Sequence, residues 1–182
     1  GGHWHGSHCG GTIAADTNNG IGVAGVAGGN GSPDSGARLM ISLGFGDSNT
    51  GGFAEALVYG ADNGAQISSN SWGYTAPGAV EQAVLDAIDY YNARGGMVVF
   101  AAGNSNSGAD YYPGFYEGAV AVAALDNADT RASFSNYGEW VDISAPGVDV
   151  YSTVLDGNYG AASGTSMATP HIPAALATRH GP

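Results

Sequence analysis

The clearest hydrophobic pattern along the chain lies over residues 79–94. Four apolar residues recur there at the spacing of one helix face, and a pair of glycines follows as a stop signal, so we expect a helix. Residues 97–102 are apolar without alternation, which indicates a parallel strand buried on both faces. The residues of the predicted helix face are Val80, Val84, Ile88 and Tyr91.

Segments of the same two kinds occur before and after this pair. Phe53, Leu57 and Ala61 lie on one face of a second predicted helix, which Gly64 ends. The alternation of strands and helices predicts an α/β fold, a doubly wound and mostly parallel sheet with helices on both faces. The predicted strands cover residues 38–43, 65–71, 97–102, 119–124, 140–145 and 148–154.

Composition narrows the class of function. The 182 residues are enough for one domain of ordinary size. Sixteen acidic residues against four basic ones give a formal charge of −12, which argues against nucleic acid or an anionic membrane as a partner. No apolar run is long enough to cross a membrane. The single cysteine, Cys9, excludes an internal disulfide.

A run of small residues near the end of the chain holds a candidate nucleophile. Gly164-Thr165-Ser166-Met167 leads into an alanine-rich segment, so we predict a loop that enters a helix with Ser166 at its N-terminus. A hydroxyl in that position lies beside unpaired backbone N–H groups, which suits a nucleophile whose attack creates an oxyanion. By itself, however, Ser166 is more simply interpreted as a helix N-cap.

Two other segments change that interpretation. His5 stands at the start of a small-residue segment, and Asn104 directly follows a predicted buried strand. A serine nucleophile needs a histidine base and hydrogen-bond donors for the oxyanion. Together these motifs, in this order and over essentially the whole chain, resemble the subtilisin-like serine proteases (subtilases). The resemblance implies that His5 is the base, Ser166 the nucleophile and Asn104 the oxyanion donor.

The resemblance also implies a substrate and a setting. The substrates would be polypeptides, and the small apolar walls of the pocket would favour large uncharged side chains. The protein would be a secreted, extracellular monomer made with an N-terminal pro-segment, and it would use no organic cofactor. Two segments would bind the substrate, namely Ser71, Trp72 and Gly73 after one strand and Ala101, Ala102 and Gly103 after the next.

The family's triad aspartate has no counterpart in this sequence. It precedes the histidine along the chain, and here the histidine is residue 5. We therefore expect residues 1–182 to form a partial subtilase catalytic domain, incomplete at both ends, with the aspartate outside this chain and little activity of its own. A truncated or degenerate subtilase domain without activity is the alternative.

Several residues near the motifs need their own interpretation. Trp4, directly before His5, and Pro173, in the helix after Ser166, stand where the family has small residues, and a proline there could bend or weaken the helix. Cys9 is interpreted as a small buried hydrophobe. His171 lies five residues past the serine and is interpreted as structural, because a helix carries it well round from Ser166.

An oxygen-rich loop over residues 16–23 is a candidate calcium site. By the resemblance, this loop contributes to a structural calcium site in the family. The carboxylate ligands of that site lie upstream in the family, so we expect this chain alone to bind calcium poorly. The ligands from the loop would be Asp16, Asn19, Ile21 and Val23.

Residues of this chain also allow two other hydrolase classes as alternatives to the subtilase interpretation. His3, His5 and His8 are spaced almost as the ligands of a metallo-β-lactamase-fold zinc hydrolase, but that reading leaves the Ser166 and Asn104 motifs unexplained. A chymotrypsin-like order of histidine, aspartate and serine is also available. That family has an all-β double barrel, and the two predicted amphipathic helices argue against it.

Overall fold

The computed structural model describes residues 4–32, 35–45 and 50–178. None of the helices in these ranges is long and apolar enough to cross a membrane. The elements are α1 (Trp4–Ala14), α2 (Phe53–Asp62), β1 (Ile67–Asn70), α3 (Gln82–Ala93), β2 (Met97–Ala101), β3 (Val120–Leu125), β4 (Ile143–Pro146), β5 (Val150–Thr153), β6 (Tyr159–Ala162), α4 (Thr165–Ala168) and α5 (His171–Ala177).

A parallel sheet organises these elements. Strands β1 to β4 lie side by side in chain order and all run in the same direction. Strands β5 and β6 form a separate antiparallel hairpin. The predicted α/β class is confirmed. Since the four strands are parallel, their carboxyl ends meet at one edge, where ligands bind in folds of this kind.

Both faces of the sheet are covered. In β2, Val98 and Phe100 pack into one hydrophobic cluster with α2 and α3, while Val99 points to the opposite side and packs with residues of β3, β4 and α4. This is the outcome expected for an apolar run without alternation, because successive side chains of a strand point to opposite faces. Helix α1 packs against β5, α4 and α5.

Helix α3 is shorter at its start than the pattern predicted. It begins at Gln82, after Glu81 in an extended conformation, and Val80 is left exposed. No Ser, Thr, Asp or Asn stands at the N-cap to begin the helix earlier. Its end is as predicted, because Gly95 takes a left-handed φ of 81° that favours glycine.

The strand predicted over residues 38–43 does not form. The segment has no strand assignment, and the side chains of Ile41 and Leu43 are 76% and 83% exposed. Its apolar composition suits a strand, but a strand is stabilised by cross-strand neighbours rather than by composition alone. Among the described residues, no strand pairs with this segment.

The helix predicted after Ser166 forms as two short helices. Helix α4 is a single turn, and α5 begins after Thr169 and Pro170. Pro173 is the third residue of α5, where its missing N–H would have had no partner within the helix. Pro173 therefore does not end the helix, since α5 continues beyond it to Ala177.

His171 joins the two short helices. Its Nδ1 lies 3.0 Å from the carbonyl oxygen of Met167 and 3.3 Å from that of Ala168, so a protonated Nδ1 donates back into α4. Burial lowers the pKa of His171, and the two backbone hydrogen bonds, which raise it, offset this only in part. The folded protein thus holds this imidazole neutral at pH values where an exposed histidine is already charged.

Stability should therefore depend on His171 below neutral pH. Because its folded pKa lies below its unfolded value of 6.5, the unfolded chain binds the proton first as pH falls. The contribution is complete above 6.5 and is lost on acidification. We expect His171→Asn, which keeps a donor but cannot titrate, to lose less free energy of unfolding than wild type between about pH 7.5 and pH 5 in urea titrations. Equal losses would contradict this.

Candidate active site

Ser166 and Ser71 hold each other through a reciprocal pair of hydrogen bonds. Ser166 is the second residue of α4, and its Oγ donates to the Ser71 carbonyl at 3.1 Å. The Ser71 Oγ donates in turn to the Ser166 carbonyl at 2.7 Å. The N-cap of α4 is Gly164, and no side chain caps that helix. The interpretation of Ser166 as a plain N-cap is therefore wrong.

The carbonyl of Ser166 is available because of a proline four residues later. In a continuous helix, the N–H of residue 170 would donate to this oxygen. Residue 170 is proline, which has no N–H. The oxygen instead accepts hydrogen bonds from the Ser71 Oγ and from the Cys9 Sγ, the latter at 3.5 Å. Helix α4, the end of β1 and helix α1 are joined at this one atom.

Cys9 also links the serine to the histidine. Its Sγ lies 4.0 Å from Nδ1 of His5, one turn earlier on α1. Burial raises the pKa of the Cys9 thiol, so it is neutral at neutral pH. A neutral thiol is a weak nucleophile. The structure therefore brings the predicted base and nucleophile to the same side chain and keeps that side chain unreactive.

Asn104 faces the same region from the end of β2. Its Oδ1 accepts hydrogen bonds from the backbone N–H of Thr165 at 2.8 Å and from the Thr165 hydroxyl at 2.9 Å. The amide is thereby oriented, which leaves Nδ2 as its donor. A Cβ built on Gly164 would lie 3.6 Å from that Nδ2 and 3.7 Å from both the backbone N of Ser166 and Sδ of Met167. Two donors thus flank one small space.

The loop that carries Asn104 depends on glycine at position 103. Gly103 has a φ of 102°, and a Cβ there would lie 2.5 Å from Nδ2 of Asn136. No other residue fits without strain. The backbone N–H of Gly103 donates to the Thr165 hydroxyl at 3.1 Å. The turn therefore allows both the close approach of Asn136 and the contact with Thr165.

Sequence reasoning missed two residues that hold this loop. Thr165 is fully buried and bonds both Asn104 and Gly103. Asn136 is also fully buried, and its Oδ1 accepts from the backbone N–H groups of Ser105 and Ser107 while its Nδ2 donates to the Ala102 carbonyl. The available signal was weak, namely polar residues inside otherwise small or apolar segments.

The comparison with protein families agrees with this arrangement. The model of the subtilase family matches residues 1–179. The chain belongs to the subtilase family. The resemblance seen in the sequence motifs is therefore confirmed.

Relatives and solved structures point the same way. The subtilase chain is 41% identical to the thermophilic serine proteinase of Bacillus sp. (strain AK1), covering 92% of this chain and 40% of the relative. It is 44% identical to Subtilisin Savinase of Lederbergia lenta, covering 97% and 62%. The solved structure of a prenylagaramide maturation protease superposes with a TM-score of 0.84 at 26% identity, covering 96% and 62%. The chain thus spans between 40% and 62% of the length of these proteins.

The two predicted substrate segments of this subtilase differ in what they expose. Ala101 and Ala102 are buried at the end of β2. The indole of Trp72 stacks on Phe53 with ring centroids 4.2 Å apart and lies edge-on to Phe100, so it is half-buried against the core. Gly73 is exposed. A binding role for residues 71–73 therefore depends on the backbone, and it stays a prediction.

The calcium loop does not by itself fit an ion in this subtilase. Asp16 is exposed and is the one carboxylate of the loop, and Asn19 Oδ1 already accepts the backbone N–H of Ile21 at 2.9 Å. Calcium takes six to eight oxygen ligands. Within the described ranges, no group of three His, Cys, Asp or Glu side chains could hold a metal. Calcium stays a prediction that requires ligands from outside this loop.

The zinc interpretation gains no support. His3 lies outside the described residues. His8 is fully buried, and its Nε2 donates to the Val150 carbonyl at 2.9 Å. This bond fixes His8 to β5, so its role in the described structure is structural.

We expect the Thr165 hydroxyl to be essential for holding the Asn104 loop. Thr165→Val keeps the shape but leaves the Gly103 N–H and Asn104 Oδ1 short of partners, so it should cost about 2–3 kcal/mol in the free energy of unfolding. Thr165→Ser keeps the hydroxyl and should cost about 1 kcal/mol, for the lost methyl group. Urea titrations of both variants test this, and the reverse order of the two costs would contradict it.

Proposed function

We propose that this chain carries the nucleophile, the base and the oxyanion donors of a serine endopeptidase. The single observation that supports this best is the small space flanked by Asn104 Nδ2 and the Ser166 backbone N beside Gly164. Donors placed where charge develops are the main requirement for stabilising a tetrahedral oxyanion. Cys9 contacts both residues, through the Ser166 backbone carbonyl at 3.5 Å and through Nδ1 of His5 at 4.0 Å.

The proposed reaction uses these groups in turn. The Ser166 hydroxyl turns from the Ser71 carbonyl, gives its proton to His5, and its Oγ bonds the carbonyl carbon of the substrate. The carbonyl oxygen becomes an anion held by Asn104 Nδ2 and the Ser166 N–H. His5 then gives the proton to the leaving amine as the C–N bond breaks, and water later hydrolyses the acyl-enzyme by the same steps.

His5 needs a carboxylate at its Nδ1 for this reaction to be fast. A thiol that burial keeps neutral cannot stabilise the imidazolium as an aspartate does. By the family resemblance, that aspartate comes from a segment that precedes His5. Loss of the triad aspartate alone lowers the rate of serine proteases about 10⁴-fold. We expect a chain without such a carboxylate to be slower by a similar factor than one that has it.

The substrates in this proposal are polypeptides bound in an extended form. Their backbone would pair with residues 71–73, at the carboxyl end of β1, and a large uncharged side chain would lie beside residues 101–103. The named relatives are proteinases and subtilisins, which supports this substrate class. An extracellular location, a monomeric state, an N-terminal pro-segment and a structural calcium ion belong to the same proposal.

A fluorophosphonate reagent tests the nucleophile directly. We expect stoichiometric labelling of Ser166 in the full-length protein, read by mass spectrometry of the labelled peptide, because only an activated serine attacks this reagent. Asn104→Ala should slow the labelling about 10²- to 10³-fold through loss of one oxyanion donor.

Ser163, an exposed hydroxyl three residues before Ser166, is the internal control for unspecific labelling. Labelling of Ser166 no faster than that of Ser163 would mean that the domain is a subtilase without activity. A metallohydrolase would ignore the reagent and lose activity to chelators.

Mercurials should inhibit the protein through Cys9. A mercury adduct on Sγ would push on His5 and on the Ser166 carbonyl, which both contact this sulfur. We expect peptide hydrolysis to fall in proportion to the fraction of thiol modified, and Cys9→Ala to be insensitive. Full activity with Cys9 quantitatively modified would refute this.

A further inference from the structure

Trp4 is a large aromatic side chain directly beside the proposed base. Its ring centroid lies 5.8 Å from that of His5 at an interplanar angle of 62°, and 6.1 Å from that of His8 at 80°. These are edge-to-face contacts of the kind that aromatic rings prefer. The indole nevertheless remains 39% exposed. It is therefore both packed against the base and accessible from solvent.

The group on which the indole rests is rigid. His8 is fully buried, its Nε2 donates to the Val150 carbonyl, and its own carbonyl accepts hydrogen bonds from the hydroxyls of Thr12 and Ser152. Trp4 thus contacts both a fixed imidazole and the one proposed to react. An aromatic side chain that is already held in place loses little entropy when a ligand packs on it.

The proposed reaction determines which part of a substrate lies beside the Trp4 indole. His5 takes the proton from Ser166 and gives it to the amine that leaves, so the leaving nitrogen must come within hydrogen-bond distance of the imidazole. The side chain of the residue that carries this nitrogen therefore lies near the imidazole as well. Trp4 is within 6 Å of that imidazole, measured between ring centroids.

We propose that Trp4 forms a wall of the subsite for the first residue on the leaving side of the scissile bond, and that this subsite selects aromatic side chains. The inference rests on the proposed function. Aromatic side chains are favoured over alanine because they bury more apolar area and add an edge-to-face or stacked contact with the indole.

The test is a ratio of specificity constants in the full-length protein. Two internally quenched peptides differ only in the residue after the scissile bond, phenylalanine in one and alanine in the other. We expect Trp4→Ala to lower the phenylalanine-to-alanine ratio of kcat/KM about tenfold, a size typical of one lost aromatic contact. Trp4→Phe should keep most of the preference, and Trp4→Leu should keep little of it. A ratio measured within one preparation cancels any change in the fraction of folded protein.

Tyr151 provides the matched control. It is an exposed aromatic residue on β5 that stacks on Tyr159, and we expect Tyr151→Ala to leave the ratio as in wild type. A peptide p-nitroanilide, which has no residue on the leaving side, separates the two proposals. If wild type cleaves the anilide and Trp4→Ala leaves the peptide ratio unchanged, this inference fails alone. If wild type cleaves neither peptides nor anilide, the proposed function fails and this inference with it.

Discussion

The candidate site depends on one carbonyl oxygen that its own helix cannot satisfy. Because residue 170 is proline, there is no N–H four residues later to donate to the carbonyl oxygen of Ser166. A buried carbonyl without a partner is costly, and here the Ser71 hydroxyl and the Cys9 thiol supply the hydrogen bonds. Three elements that are far apart in sequence therefore meet at the serine, because its backbone carbonyl requires hydrogen-bond donors from outside its own helix.

A second set of polar contacts positions Asn104, the proposed oxyanion donor. The hydroxyl of Thr165 bonds both Asn104 and Gly103, and Asn136 holds the chain on either side of that turn. Thr165 and Asn136 are fully buried, where a partly satisfied network would be worse than an apolar one. Asn104 itself is exposed. The buried part of the network fixes one side of its amide and leaves the other for an incoming oxygen.

Local patterns predicted the sheet and the helices well and long-range contacts poorly. The apolar run of β2 and the helix face of α3 are properties of neighbouring residues, so periodicity was sufficient to find them. Residues 38–43 failed because their strand requires a partner that composition does not supply. The roles of Thr165 and Asn136 were not predicted, because their hydrogen-bond partners lie 61 and 34 residues away. The local pattern made Ser166 a candidate, but its role, with those of His5 and Asn104, was assigned through the family resemblance, since each residue alone has an ordinary structural explanation.

The contacts of His5 are sufficient for the fold but not for the proposed activity. Packing and hydrogen bonds bring α1 to α4 through Cys9, and a thiol is sufficient for that purpose. Proton transfer in the proposed reaction has a further requirement. The imidazolium formed during attack needs a negative charge or a strong acceptor at Nδ1. Burial keeps the Cys9 thiol neutral by raising its pKa, so this contact gives the imidazole position without charge stabilisation. This chain can therefore bring the subtilase motifs together, while the proposed reaction would also require a carboxylate at the same ring.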